Sequence, residues 1–288
     1  PNDGASAAER GRGYVVGLVP FFLLVPFFSR PTFCYEIVKG RMWGFEQKQG
    51  IGLGLNTAVN VRMTVVKLED GGLWVHAPIA ATPECVGLVQ ELEKEHGPVK
   101  YIVLPTTLLE HKLWVGPFAR KFPKAKTYVV QGQYSFPINA PLPIFSGIFA
   151  DGVITADNQK DLPWANEFDH VLFQPPSITP LADYITFNEV GFYHRPTKTV
   201  LVTDMLVSVS DRIPDVITER DCLESGDDRN FAITCLKLLG FFGVREAAEA
   251  RRLRLQGREP PARPERIQLG WRRNALIALY FGFGNLMD

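Results

Sequence analysis

The chain has 288 residues, 46% of them apolar, enough for a sizeable core in one large domain or two smaller ones. Its 31 basic and 31 acidic side chains cancel to zero formal charge, which removes the global electrostatic case for nucleic acid or for an anionic membrane surface. None of the four cysteines forms a CxxC pair, so zinc-finger and thioredoxin chemistry have no support, and scattered thiols suit a reducing compartment or burial.

The chain opens on Pro1, as it would after removal of a targeting segment or with a start that was not included. Residues Pro1–Gly13 are polar and read as a flexible arm. Tyr14–Phe28 (YVVGLVPFFLLVPFF) is uncharged but shorter than the ~20 apolar residues of a spanning helix. Pro20 and Pro26 further disfavour an ordinary helix. Three readings stay open for this run: a short membrane-embedded or interfacial segment, an arm that docks on a partner, or packing on its own domain. Ser29–Gly54 mixes aromatic, basic and glycine residues and reads as an irregular lead-in, since GIGLG lacks the spacing and the following helix of a dinucleotide loop.

An organised domain is expected from near Asn60. Val61–Leu68 and Leu73–His76 read as a hairpin around Glu69–Gly72. Thr82 is placed to cap a helix over Glu84–His96 whose stripe is Val86, Leu88, Val89 and Leu92, stopped by Gly97-Pro98. Val99–Leu104 is a strand that empties at Pro105 into a turn carrying Glu110 and His111. A short helix over Pro117–Phe122 and a strand over Thr127–Val130 follow, an order that indicates a mixed α/β sandwich. Ser135–Ala150 is a Pro-rich apolar connection, and Asp157–Glu167 is a polar loop that contains Trp164. Strands are expected over Phe168–Gln174, Tyr184–His194 and Thr199–Thr203, the last placing Asp204 at a strand end. Beyond Ser208 the chain turns polar. Helices are expected over Asn230–Phe242 and Arg245–Gln256, and Trp271–Phe283 is an apolar, aromatic end too short to span a membrane.

Strand ends and the loops after them are where a sheet makes metal ligands converge. The candidates are His76, Glu110, His111, His194 and Asp204, whose imidazoles and carboxylates suit zinc, manganese or iron. A bound metal would lower the pKa of a water and make it a nucleophile. Each residue has a plain alternative as a hydrogen-bonded structural group, and His76 and His194 favour it. His96 and His170 read as structural. There is no GxSxG elbow and no phosphate-binding GxxxxGK[ST] loop.

The segments LWVHAP, KYIVLPTTLLEH, FPKAKTYVVQGQ and EVGFYHRPTKTVLVTDML resemble an uncharacterised family of cyanobacteria, plants and algae. That family is a domain of unknown function, distantly similar to the metallo-β-lactamase superfamily. The resemblance implies an αββα sandwich over residues 59–211, preceded by an N-terminal arm with its hydrophobic segment (1–58) and followed by a mostly helical extension (212–288). Active superfamily members carry HxHxDH in the loop after the comparable strand. Here Thr106 and Leu108 replace the first two histidines, Glu110 stands for the aspartate, His111 matches the last histidine, and Asp204 matches the bridging aspartate. The histidine of a GHT-like turn has no counterpart around Asp183–Thr186.

The implied metal site is therefore His111, Asp204 and Glu110, holding at most one divalent metal such as zinc. The implied role is a non-catalytic accessory subunit of a plastid, thylakoid-associated and photosynthetic assembly, with the alternative of a metal-dependent hydrolase or oxidoreductase with altered ligands. Its partners would be a membrane protein complex or a lipid surface met through Tyr14–Phe28 and Trp271–Phe283, with no nucleic acid.

Overall fold

The computed structural model describes residues 24–25, 30–51, 57–135, 139–175, 187–225, 256 and 263–280. The run Tyr14–Phe28 apart from Leu24–Val25, the stretch Asn230–Phe242, the turn Asp183–Thr186 and Arg245–Gln256 apart from Gln256 lie outside them. The described chain forms two compact units. One takes residues 30–47 and the described part of 61–208; the other takes 24–25, the described part of 48–60 and the described part of 209–288.

The lead-in that reads as irregular is strand. β1 (Leu24–Val25), β2 (Thr32–Val38), β3 (Met42–Ile51), β4 (Thr57–Lys67) and β5 (Leu73–His76) follow one another along the chain. The glycines that obscure β3 have a packing reason: a Cβ on Gly44 would stand 2.6 Å from the Tyr35 ring of the neighbouring strand. The turn between β4 and β5 is the expected one, with Gly71 and Gly72 both at positive φ.

Thr82 caps α1 (Pro83–His96), its side chain accepting the N–H of Cys85 at 3.2 Å, and Gly97 ends it with φ 96°. β6 (Val99–Leu104) lies parallel to β5, and β7 (Lys126–Val130) and β8 (Gly152–Ile154) continue the parallel half. Between β6 and β7 runs α2 (Leu109–Ala119), earlier and longer than the helix expected over Pro117–Phe122. It is almost entirely buried, so tertiary packing fixes it where no side-chain cap marks its start. A short helix, α3 (Leu142–Ser146), packs close enough that a Cβ on Gly116 of α2 would lie 2.2 Å from the Ser146 carbonyl. Among the described residues the large sheet has eight strands in the order β1-β3-β4-β5-β6-β7-β8, with β2 beside β3.

A second sheet of three antiparallel strands, in the order β11-β10-β9, contains β9 (Phe168–Phe173), β10 (Glu189–His194) and β11 (Thr199–Leu201). The central strands of the large sheet divide their side chains between its two faces. Leu73 and Val75 join Ile102, Leu104, Val89 of α1 and Phe118 of α2 in one core, while Trp74, Val103 and Val130 join Phe168, Val190 and Phe192 in the other. Helices, large sheet and small sheet thus form three of the layers of an αββα sandwich among the described residues. Trp164, which reads as part of a polar loop, is buried between the sheets, with ring centroids 4.7 Å from Tyr128 and 5.2 Å from Tyr101.

In the second unit, α4 (Glu219–Ser225) packs on α5 (Arg263–Tyr280). Trp271 is buried there with Ala58, Val216, Ile217 and Cys222, and its indole N–H donates to the Ser210 carbonyl at 2.9 Å. Trp271, at the start of the apolar C-terminal run, thus packs within its own unit. Among the described residues no helix is long and apolar enough to cross a membrane.

Candidate functional site

The parallel strands β5 and β6 end side by side, and the chain leaves β6 through Pro105-Thr106-Thr107-Leu108 directly into α2. Glu110 and His111 therefore stand in the first turn of a helix, where the sequence suggested a loop. The four linking residues are pinned across the sandwich. Thr106 is buried and forms an isolated bridge with Glu189, while the Val190 N–H donates to the Pro105 carbonyl at 2.8 Å. The Thr107 N–H donates to the Asn188 carbonyl at 3.0 Å, and Thr107 Oγ1 accepts the Asn188 N–H at 3.0 Å. Thr106 Oγ1 also accepts the Leu108 N–H at 3.2 Å. Thr106, at a position where a superfamily ligand would stand, is thus a structural residue.

His111 and Asp204 are brought together. His111 Nε2 lies 3.2 Å from Asp204 Oδ2. Burial opposes charge on this imidazole, but Asp204, Glu110 and Glu189 outweigh it and raise its pKa to about 9. That direction favours the imidazolium form at neutral pH. Burial and then Asp204 push the Glu110 carboxyl above its ordinary range, against the pull of His111. His76 stacks on Trp74 with centroids 5.7 Å apart, and its buried Nε2 has no hydrogen-bond partner among the described residues. Burial, with His111 adding to it, lowers the His76 pKa to about 3, so this ring is neutral. Beside them Lys112 is buried, its Nζ donating to the Tyr134 carbonyl at 2.5 Å; burial lowers its pKa to about 8.

Asp204 owes its place to Glu189, which the sequence did not single out. Glu189 is fully buried at the start of β10. Its Oε1 accepts the Thr203 N–H at 2.5 Å, and its Oε2 accepts those of Asp204 and Met205, each at 2.8 Å. Burial raises its pKa although these donors pull the other way. The only signal in the sequence is an acidic residue at the head of an alternating strand, which is too common to stand out.

His194 is not part of this site. It ends β10 five residues beyond Glu189, about 17 Å along an extended strand. Its Nδ1 contacts Thr197 Oγ1 at 2.7 Å. His170 Nε2 meets the Thr155 carbonyl at 2.8 Å, and His96 stacks on Trp43 with centroids 4.9 Å apart, both structural as expected.

Among the described residues no three His, Cys, Asp or Glu side chains converge as the ligands of one ion. The imidazole nitrogen that would face an ion faces a carboxylate, and Glu110 adds no third ligand to the pair. The donor set as arranged does not fit a resident metal ion.

The family model of a domain of unknown function, DUF4336, matches residues 39–287. The chain belongs to this family. No curated protein matches the chain. Among solved structures it is similar to the metallo-β-lactamase FIM-1 from Pseudomonas aeruginosa in its mono-zinc form, with 13% identity over 56% of this chain and 64% of that one and a TM-score of 0.36. It is also similar to the metal-soaked flavodiiron core of Flv1 from Synechocystis sp. PCC6803, with 15% identity over 79% and 61% and a TM-score of 0.39. A diflavin flavoprotein A 5 fragment from Nostoc sp. PCC 7120 gives 10% identity over 75% and 86%, with a TM-score of 0.39. The chain spans less than two thirds of the length of the first two. In this DUF4336 chain, the chemistry-bearing pair His111–Asp204 is a half-buried contact whose aspartate backbone is held by Glu189.

Proposed function

We propose that the chain is a non-catalytic accessory or structural subunit of a membrane-associated assembly in the plastid, built on a degenerate metallo-hydrolase fold. The observation that carries the non-catalytic part is the direct contact of His111 Nε2 with Asp204 Oδ2 at 3.2 Å. The imidazolium supplies positive charge next to Asp204, and Glu189 spends its carboxylate on three backbone N–H groups. The Glu189 carboxylate is thereby taken up by backbone donors, and Asp204 Oδ2 faces His111.

The assembly part is supported by apolar surface. Tyr14–Phe28 is an uncharged run of the sequence. On the outer face of the three-stranded sheet Val171 is 72% exposed and Val200 62% exposed, with Tyr193 beside Val200 in register. Surface of this kind suits a subunit held against partners. Plastid location and the photosynthetic setting rest on the family resemblance.

Two measurements test this reading. Metal content is determined on the full chain expressed in zinc-, manganese- and iron-supplemented medium, alongside His111→Ala. Sub-stoichiometric metal in both proteins is expected. One equivalent in the wild type that is lost in H111A would overturn the non-catalytic reading in favour of a hydrolase or oxidoreductase with altered ligands. Second, membranes from plastids expressing the full chain or a variant lacking Tyr14–Phe28 are sedimented. The full chain is expected in the membrane pellet within a larger complex. Loss of the shortened variant from the pellet supports anchoring by that run, and its retention there sinks it.

A further inference from the structure

The sandwich has a second buried polar centre at the end opposite His111, around Glu167 and His194. Both side chains are buried. His194 Nε2 and Glu167 Oε2 face each other at 3.6 Å, and among the described residues neither atom has a hydrogen-bond partner. Glu167 also joins the two sheets. Its Oε1 accepts the Glu69 N–H at 3.0 Å from the turn between β4 and β5, and its backbone carbonyl accepts the Arg195 N–H at 2.9 Å from the turn after β10.

With each hydroxyl donating as follows, the Nδ1–H tautomer of His194 fits its surroundings. Thr199 Oγ1 donates to the Thr197 carbonyl at 3.3 Å, so the hydroxyl contact between Thr197 and Thr199 at 2.9 Å uses the proton of Thr197. Thr197 Oγ1 then has only a lone pair for His194, and His194 Nδ1–H donates to it at 2.7 Å. The neutral ring therefore turns a bare Nε2 lone pair toward Glu167. A lone pair and a carboxylate cannot satisfy each other in a buried setting, and one proton between them satisfies both.

We propose that Glu167 is held as the neutral acid and that its Oε2–H donates to His194 Nε2, forming a one-proton clasp between the two sheets. Closing 3.6 Å to a normal O–H···N bond takes a side-chain movement of under ~1 Å. The groups that face the pair act in both directions. Arg41, from the turn before β3, and Arg195, from the turn after β10, disfavour charge on His194. Glu69 and Asp70, from the turn between β4 and β5, disfavour charge on Glu167, while Arg41 favours it. Burial is the largest influence on each: it raises the Glu167 pKa and lowers that of His194 to about 4.

The sign of the pH dependence follows. Above the ordinary carboxyl value of 4.5, the unfolded chain has lost the Glu167 proton that the folded chain keeps. Stability from this residue is fully present below pH 4.5 and is lost, by up to tenfold in the folding equilibrium per pH unit, as pH rises through the folded value. For His194 the loss runs the other way, as pH falls from 6.5 toward 4. The two groups therefore act in opposite senses: as pH rises above 4.5 the Glu167 contribution falls while that of His194 grows.

The full chain is labelled for carboxyl 13C and imidazole 15N NMR. At pH 7 Glu167 is expected to show the shift of a protonated carboxyl, and His194 that of a neutral ring protonated at Nδ1. A carboxylate shift at Glu167, whether His194 is neutral or an imidazolium, overturns the proposal. Denaturation of Glu167→Gln and Glu167→Ala gives a second readout. Gln keeps a donor toward Nε2 and an acceptor for Glu69, so E167Q is expected to unfold less readily than the wild type at pH 7–8, and E167A more readily at every pH. An E167Q less stable than the wild type at pH 7 overturns the neutral-acid assignment.

Discussion

Glu189 Oε2 accepts the backbone N–H of Asp204 at 2.8 Å, so a carboxylate fourteen to sixteen residues upstream of Thr203–Met205 decides where Asp204 stands. Its removal should be felt first in that loop. Glu189→Ala is expected to cost roughly 3 kcal/mol, the scale for hydrogen bonds to a charged group and the buried donors it leaves. Urea denaturation measures the total, and faster amide exchange confined to Thr203–Met205 in the native state identifies the cause. An unchanged exchange rate there would separate Glu189 from the positioning of Asp204.

The His111 imidazolium makes stability depend on alkaline pH. Its folded pKa of about 9 lies above the ordinary 6.5, so its contribution is fully present below pH 6.5 and is lost as pH rises toward 9. The span corresponds to on the order of 3 kcal/mol. His111→Asn is expected to be less stable than the wild type at pH 6 and to lose less stability between pH 6.5 and 9. Parallel profiles for the two proteins would show that this ring is uncharged.

Gly270 has no room for a side chain. A Cβ there would lie 1.8 Å from the Cys222 carbonyl oxygen, a backbone atom that cannot rotate away. Gly270→Ala should therefore prise α5 from α4, costing about 2 kcal/mol or more. Amide exchange should accelerate along Glu219–Ser225 in this variant, and native rates there would contradict the close packing.

Trp164→Ala should leave one of the larger voids in the chain, because the ring meets Trp74, Tyr101 and Tyr128. A loss of about 3–5 kcal/mol is expected from thermal or urea unfolding. Trp164→Phe should recover part of it, since the indole N–H has no hydrogen-bond partner to lose among the described residues.

Local features of the sequence placed the elements with local causes. Thr82 and Pro83 mark the start of α1, Gly97-Pro98 its end, and the apolar residues Ile102–Leu104 are buried on both faces in β6. β2 and β3 were not legible, because their glycines and aromatics answer to one another across the strands, as Gly44 does to Tyr35. The start of α2 was missed for a related reason: Leu108 provides no capping side chain, and burial alone holds the first turn. Within the site His111 and Asp204 could be paired through a family pattern. Glu189 and Glu167 could not, since each acts on backbone N–H groups distant along the chain that have no signature of their own.

The main-chain bonds of Thr107 with Asn188 and of Val190 with Pro105 lace the two sheets at the end where His111 lies. A molecule approaching His111 from between the sheets would have to part these bonds, a cooperative opening of the sandwich, whereas the usual entrance to a reactive centre needs only a swinging side chain or a mobile lid. Approach from that side is thus tied to the stability of the sandwich, and His111, 7% exposed, should react with imidazole-modifying reagents more slowly than an exposed histidine.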